Sequence, residues 1–488
     1  MAGKNPFLSL GFRSFSSSFS RPGSGGEGGG GGGGGGGIPV PEGGTYWIST
    51  AGAGEIDVAK SIEVDSSGNV YISGYQGNQV GNTGTGGRNV LIAKYNYLGQ
   101  ILWQRTLGSS LQNFTDEVAG GYIGIDGSGN VYGTATSNTL GAGGGNSIMV
   151  FKYDTNGVLQ WQRRLNNTSN DAANAAAVDS SGNLYITGTT NPGAEGAYDI
   201  LVAKYNSSGV LQWQRNLGET SVENAYAVAS DSSGNVYISG NYYKAGVTSN
   251  WDIVVFKYNS SGVLQWQRAL KGSDYDNATS IAPDSSGNVY VSASTRSQGS
   301  GGAEILLAKY NSSGVIQWQK LLGGTANDYP GGIAVDSSAN VYLAGFTYSN
   351  FNSQSGDVLA SKWDSSGNLL WQRTFGGTKE LPSQYEPKDV ANAIAVDNSG
   401  NFYFAGWTDS SHPSGIREVL VTRLPDDGSG TGVQGAFLYE VSTATVTTGT
   451  LTDSAATFND TAANLTDSAS THLTDAATNM TATVTSIT

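Results

Sequence analysis

One heptapeptide, Asp-Ser-Ser-Gly-Asn-Val-Tyr and its close variants, occurs seven times, and no other feature limits the possible folds of this chain so strongly. The copies begin at Asp65, Asp126, Asp179, Asp231, Asp284, Asp336 and Asp397, at steps of 61, 53, 52, 53, 52 and 61 residues. A second marker keeps phase with it. AKYNSSGVLQWQR and its variants start at Ala93, Phe151, Ala203, Phe256, Ala308 and Ser361, and the seventh copy, TRLPDDGSGTG from Thr422, lacks the Trp. A period of this length, repeated this often, means one supersecondary unit per copy, stacked on its neighbours.

Each unit of about 52 residues reads as four strands. Strand one is a short run rich in Ala, Ile and Val, such as Asn392–Val396. DSSGN then supplies a tight turn, because Asp or Ser starts it and Gly-Asn accepts positive φ angles. Strand two, VYISG, alternates with period two. A variable loop follows, then strand three (Asp199–Asn206 in the third copy), an NSSG turn, and strand four, VLQWQR. Seven four-stranded antiparallel units predict radial closure, an all-β, seven-bladed β-propeller over residues 45–432. The small residues of strand one fit the crowded axis, and the Trp of strand four fits the rim. The seventh unit has no WQR strand, but TYWIST at Thr45–Thr50 carries Trp47 in the missing phase: Trp47 precedes Asp65 by 18 residues, as Trp213 precedes Asp231. The spacing predicts that the N-terminal strand completes the last blade and removes an open edge.

Composition narrows the chemistry. The formal net charge is −14, so polyphosphate is repelled and a nucleic-acid partner is not expected. There is no Cys, and the two His, His412 and His472, lie far apart in sequence. Disulfides, thiolate metal sites and a Ser-His-Asp triad are therefore not expected, nor is any cofactor or catalytic residue set. No segment approaches the roughly 20 apolar residues of a membrane helix, and membrane insertion is not expected. The first residues lack the continuous apolar run of a secretory signal.

Two flanks differ from the repeat. Residues 1–44 include ten consecutive glycines, Gly28–Gly37, preceded by Phe7, Phe12, Phe15 and Phe19, and read as a flexible tether with a docking end. Residues 433–488 have no Lys or Arg. They carry apolar residues at Leu451, Phe458, Leu465, Leu473, Met480 and Ile487, at steps of 7, 7, 8, 7 and 7. This heptad-like spacing predicts an oligomerisation or attachment stem, helical or β, and with it a homo-oligomer.

Candidate site residues follow from the phase. Asp57, Asp171, Glu223, Asp276, Asp328 and Asp389 each precede a DSSGN aspartate by eight residues, and Glu117 is displaced by one. They are expected at the mouth of the central channel, either as an acidic collar that attracts cations or as caps of the turn into strand one. A calcium loop is not expected from DSSGN, which holds one carboxylate per turn. The variable loops on the same face contribute Tyr75, Tyr242, Tyr243 and Trp251, then Phe346, Tyr348, Phe351 and Trp407. Aromatics over a rigid scaffold are a candidate surface for glycans or proteins.

The phase-locked pattern GGTANDYPGGIAVDSSANVYLAGFT, at Gly323–Thr347, resembles the SBBP-type β-propeller repeats of bacterial and phage surface proteins. That resemblance covers about 390 residues. It implies the fold and an interaction module, with no catalytic set carried along. KYNSSGVLQWQ is also similar to the tryptophan-docking repeat of quinoprotein dehydrogenases, but those are usually eight-bladed with a cofactor pocket. The glycine tether, the missing Cys and the Thr/Ser/Asp tail look like appendage proteins of phage particles, those of cyanobacterial phages in particular. The expectation is a non-enzymatic virion protein (tail fibre, spike or capsid decoration) on the particle surface. Its expected partners are other virion proteins through the termini, and host-surface glycan or protein. The alternative is an extracellular, lectin-like bacterial adhesin.

Overall fold

The computed structural model describes residues 46–487 apart from 53–55, 78–88, 109–118, 138–144, 167–169, 192–197, 219–221, 244–250, 299–301, 349–355, 378–387 and 410–416, and apart from 425–426, 428, 430–431, 435–436, 442–444, 449–451, 456–458, 463–465, 470–473 and 478–480. Glu117, Phe351 and the glycine-rich arm thus lie outside the described residues. Every regular element among the described residues is a strand, and the strands form seven antiparallel sheets. These are the seven blades, numbered here by their DSSGN copies. Blade 3 shows the order: Asp171–Val178, Leu184–Thr190, Asp199–Tyr205 and Leu211–Gly218, each paired to the next. Strand one of each blade lies against strand one of the next, so these strands line the axis.

The DSSGNVY motif is a clasp. In blade 3, Asp179 Oδ1 accepts the backbone N–H groups of Ser181 at 2.9 Å and Asn183 at 3.0 Å. Its Oδ2 accepts Asn183 Nδ2 at 2.8 Å and the Tyr185 hydroxyl at 3.0 Å. One carboxylate therefore closes the turn and holds a fully buried tyrosine. The glycine has φ of 75° at Gly182, where a Cβ is disfavoured. Blade 6 breaks this rule: Ala339 sits at φ of 63°. A left-handed L-residue costs about 1–2 kcal/mol, partly offset by the extra chain entropy of glycine. Ala339→Gly is therefore expected to stabilise the protein by about 0.5–1 kcal/mol, read as a rise in denaturation midpoint at constant m-value.

The second motif staples neighbouring blades. Trp213 of blade 3 donates its indole N–H to the Ser260 carbonyl of blade 4 at 3.2 Å. Lys204 Nζ reaches the same carbonyl at 3.2 Å, and Arg215 Nε donates to the Gly262 carbonyl at 2.9 Å. The Trp213 ring stacks on Tyr258 with centroids 6.2 Å apart. A Cβ on Gly262 would meet that indole at 2.7 Å, so the NSSG turn needs glycine for close approach as well as for its φ of 72°. The same indole-to-carbonyl bond links Trp103 to Thr155, Trp161 to Ser207, Trp266 to Ser312 and Trp318 to Ser365. The repeat's most conspicuous residues are thus spent on blade-to-blade packing.

The ring closes as the spacing predicts. Tyr46–Gly52 pairs with Glu418–Leu424 in blade 7, with Trp47 opposite Arg423. Leu451, Phe458, Leu465, Leu473 and Met480, on which the expected stem rests, lie outside the described residues; the described C-terminal strands pair on the blades. These strands add an outer strand to every blade, pairing with strand four of blades 6, 5, 4, 3, 2 and 1 in turn, and on blade 6 a second one, Gly432–Gln434, pairs outside the first. The last strand, Thr481–Ile487, covers Tyr46–Gly52, which is therefore held on both edges. The step of about seven residues matches the spacing of the strands from blade to blade. Four residues pair on one blade and about three cross to the next, and seven extended residues reach about 23–25 Å. The segment is a belt laid around the rim, against the direction in which the blades were built.

Candidate functional site

Strand one begins, and strand two ends, at the mouth face. Asp57, Asp171, Glu223, Asp276, Asp328 and Asp389 all stand there at the start of strand one. None forms a solvent-facing collar: each is at most 1 % exposed. The reason is the blade interface. The backbone N–H of Glu223 donates to the Tyr198 carbonyl of the preceding blade at 2.7 Å, and Asp328 and Asp389 do the same to Ala303 and Gly356. This draws each acid between two blades. Asp171 Oδ1 accepts the Thr190 hydroxyl at 2.6 Å, Asp276 accepts the hydroxyls of Thr295 and Ser297, and Asp328 Oδ2 accepts the backbone N–H of Gly324 at 2.8 Å. A second row of acids stands at the start of strand three of blades 3 to 7: Asp199, Glu304, Asp357 and Glu418 open their strands and Asp252 is second in its own. Burial pushes the Asp276 carboxyl up, and the charge of Asp252 adds to the rise; burial alone raises Asp199. Among the described residues no three metal-ligating side chains converge.

The aromatic candidates sit lower than loop tips. Tyr75, Tyr242, Tyr243, Phe346 and Trp407 lie at the end of strand two, and Trp251 opens strand three. Tyr348 lies one residue beyond its strand. All are half-buried or buried; Tyr243 packs on its cross-strand partner Trp251 with centroids 5.6 Å apart, and Phe346 on its partner Tyr329 at 5.0 Å. They were expected on the variable loops; strands two and three run beyond the repeated motif and take in all of them but Tyr348, and the hairpin register largely covers them.

One sector of the mouth is nevertheless distinct. Val58, Val390 and Trp407 form a cluster with Tyr75 and Phe346 packed on it, drawn from blades 1, 6 and 7. Tyr348 extends this patch edge-on to Phe346 at 5.7 Å. Two cations ride on it: the Arg417 guanidinium lies 4.0 Å from the Trp407 ring centre, and Lys388 Nζ lies 5.7 Å from that of Tyr348. The equivalent positions in blades 4 and 5 are polar, with Asn241 donating to Asn277 across the interface. The seven-fold repeat is thus broken at its mouth into an aromatic, cationic sector and an amide-lined one.

A second break lies lower in the channel. Two residues before the DSSGN aspartate, six blades carry Gly124, Ala177, Ala229, Ala282, Ala334 and Ala395, whereas blade 1 carries Glu63. Burial raises its pKa from 4.5 to about 7. The folded state therefore binds a proton that the unfolded state releases at lower pH. The stability tied to neutral Glu63 is complete below about pH 4.5 and is lost as pH rises through about 7. Glu63→Gln is expected to stabilise the protein by about 1–2 kcal/mol at pH 8, with little change at pH 4.5, in paired denaturant titrations. The signal was present in the aligned repeats, as one acid in a column of Ala and Gly.

A known repeat family matches part of the chain. Two segments, residues 160–192 and 317–352, match the model of the SBBP β-propeller repeat. Each runs from a Trp strand of one blade through the first hairpin of the next. The chain is 22% identical to the uncharacterized WD repeat-containing protein L264 of Acanthamoeba polyphaga mimivirus, over 54% of this chain and 26% of that protein. It is 23% identical to the regulatory protein FlaEY of Caulobacter vibrioides, over 42% and 24%. The chain spans about a quarter of the length of these curated relatives. Similar solved structures include the β-propeller domain of the trilobed protease from Pyrococcus furiosus, with TM-score 0.42, 10% identity, and 76% and 96% of the two chains covered. Sqt1 from Chaetomium thermophilum, bound to the N-terminus of ribosomal protein L10, gives 0.40, 11%, 76% and 98%. The GH74 xyloglucanase from Xanthomonas campestris gives 0.40, 11%, 75% and 53%.

Proposed function

We propose that this β-propeller repeat protein is a non-catalytic binding module of a virus particle, engaging its partner through the aromatic, cationic sector of blades 6, 7 and 1. One observation carries the reading. The residues that recur in every repeat are engaged in turns and blade contacts, while Tyr348, Trp407, Lys388 and Arg417 depart from the repeat and share one sector of one face. Flat aromatic faces beside cations suit a protein segment or a glycan presented at a host surface. The distant likeness to a viral WD repeat-containing protein, the glycine-rich arm and the lack of cysteine are in keeping with a particle appendage. Several copies on one particle would let weak contacts sum.

Two measurements test this. Mass spectrometry of purified particles is expected to detect the chain, and its absence from them would refute the virion assignment. Binding of the full chain to a glycan array and to host-surface protein is expected to fall at least tenfold in Tyr348→Ala and Arg417→Ala, with folding checked by circular dichroism. Binding unchanged in both variants would remove the sector from the reading.

A further inference from the structure

We propose that the C-terminal belt is exchangeable between copies, so that residues 437–487 of one chain can pair on the blade rims of a second copy of the same chain. The inference is independent of what the mouth binds. The belt is held in separate units, four register pairs on each of blades 1 to 5, five on blade 6 and seven on Tyr46–Gly52 of blade 7, so that each unit is a small part of the whole. The units also share one register. Asp453, Asp460, Asp467 and Asp475 stand opposite Leu270, Leu217, Leu165 and Leu107, and in each case an Arg of strand four stands two positions away, opposite an Ala of the belt. Where strand four carries Lys320 in place of that Arg, the belt carries Val446 at the Asp position. A register shared by these units suits the rim of another copy of this sequence as it suits its own.

The rim that receives the belt is a natural association surface. With the ring closed, strand four is the outer edge of blades 1 to 6, and an outer edge is a template for a further strand. The belt takes only half of it. In blade 3 it pairs on Arg215–Gly218 and leaves the Leu211–Gln214 half uncovered by it. At that uncovered end each of blades 1 to 6 exposes one large apolar residue: Leu102, Val158, Val210, Val263, Val315 and Leu370, all between 51% and 54% exposed. A second copy whose belt crosses over would bring its own rim to this apolar row. Exchange replaces every belt–rim bond with an identical one, which is why such swaps are a low-cost route to dimers.

The chain's lack of cysteine allows a direct test. Thr106 and Ala476 are register partners, and directly opposed strand residues lie within disulfide reach. Full-length Thr106→Cys and Ala476→Cys, carrying tags of different size, are mixed at high concentration, incubated and oxidised. The disulfide-linked heterodimer is expected at ten times or more the level given by Thr106→Cys mixed with Ala455→Cys, whose position pairs on blade 4. A heterodimer yield equal to that control, while the double variant Thr106→Cys/Ala476→Cys closes within one chain, would overturn the exchange and leave a private belt. Failure of the double variant to close would overturn the belt itself.

Discussion

Replacing Trp213 by Ala is expected to lower the stability of the propeller by about 3–4 kcal/mol, the range for deleting a large aromatic from a packed interface. The indole stacks on Tyr258, leans on Tyr185 at 6.3 Å and donates to the Ser260 carbonyl, so the substitution empties a slot shared by blades 3 and 4. It also strips the surface against which Gly262 makes its close approach. Trp213→Phe keeps a stacking ring and loses the indole N–H donor, and it is expected to recover about half of the loss. Equilibrium denaturation read by far-UV circular dichroism checks both. Equal stabilities for the Ala variant and the parent would mean that the Trp strand is ornament and the blades are held otherwise.

Asp179→Ala is expected to cost about 3 kcal/mol. Four donors lose one acceptor group: two backbone N–H groups, the Asn183 amide and the Tyr185 hydroxyl. The hydroxyl belongs to a fully buried side chain, so it cannot simply turn to water, and its other acceptor, the Gly234 carbonyl, lies at a long 3.4 Å; a poorly met buried donor costs about 1–3 kcal/mol by itself. Burial and then the Asp179 charge hold the Tyr185 hydroxyl far above the usual tyrosine range, which fits a phenol that serves as donor throughout. Asp179→Asn retains an oxygen for the two backbone donors but presents an amide N–H₂ to the other two groups, and about half the loss is expected. Chemical denaturation of both variants measures the difference; the Asn variant proving as damaging as Ala would point to charge alone.

These two positions explain why so much of the fold was legible. DSSGNVY and KYNSSGVLQWQR each complete their chemistry within one turn or one blade step, so local sequence determines what they do. Trp47 was legible for the same reason, since it fills a gap in a regular count. The belt was not. A spacing of seven fits a helical seam and also fits the rim-to-rim step of a propeller, and Thr, Ser and Asp do not decide between them. The acids were placed at the right end of the right strand, but their burial goes with hydrogen bonds to the preceding blade, such as Glu223 to Tyr198, which no single repeat contains. The aromatic sector depends on blades 6, 7 and 1 becoming neighbours, and blade 1 meets blade 7 only once the ring has closed.

Closure is therefore the claim on which the mouth, the rim and the belt all rest. Ile48 and Thr422 are direct register partners although 374 residues separate them in the chain. The double variant Ile48→Cys/Thr422→Cys, in a protein otherwise free of cysteine, is to be oxidised in dilute solution and run on a denaturing gel without reductant. A closed ring predicts nearly complete conversion to one monomeric, faster-migrating band that reverts with reductant. Free thiols that persist in the folded protein, or cross-linked multimers in place of that band, would contradict it.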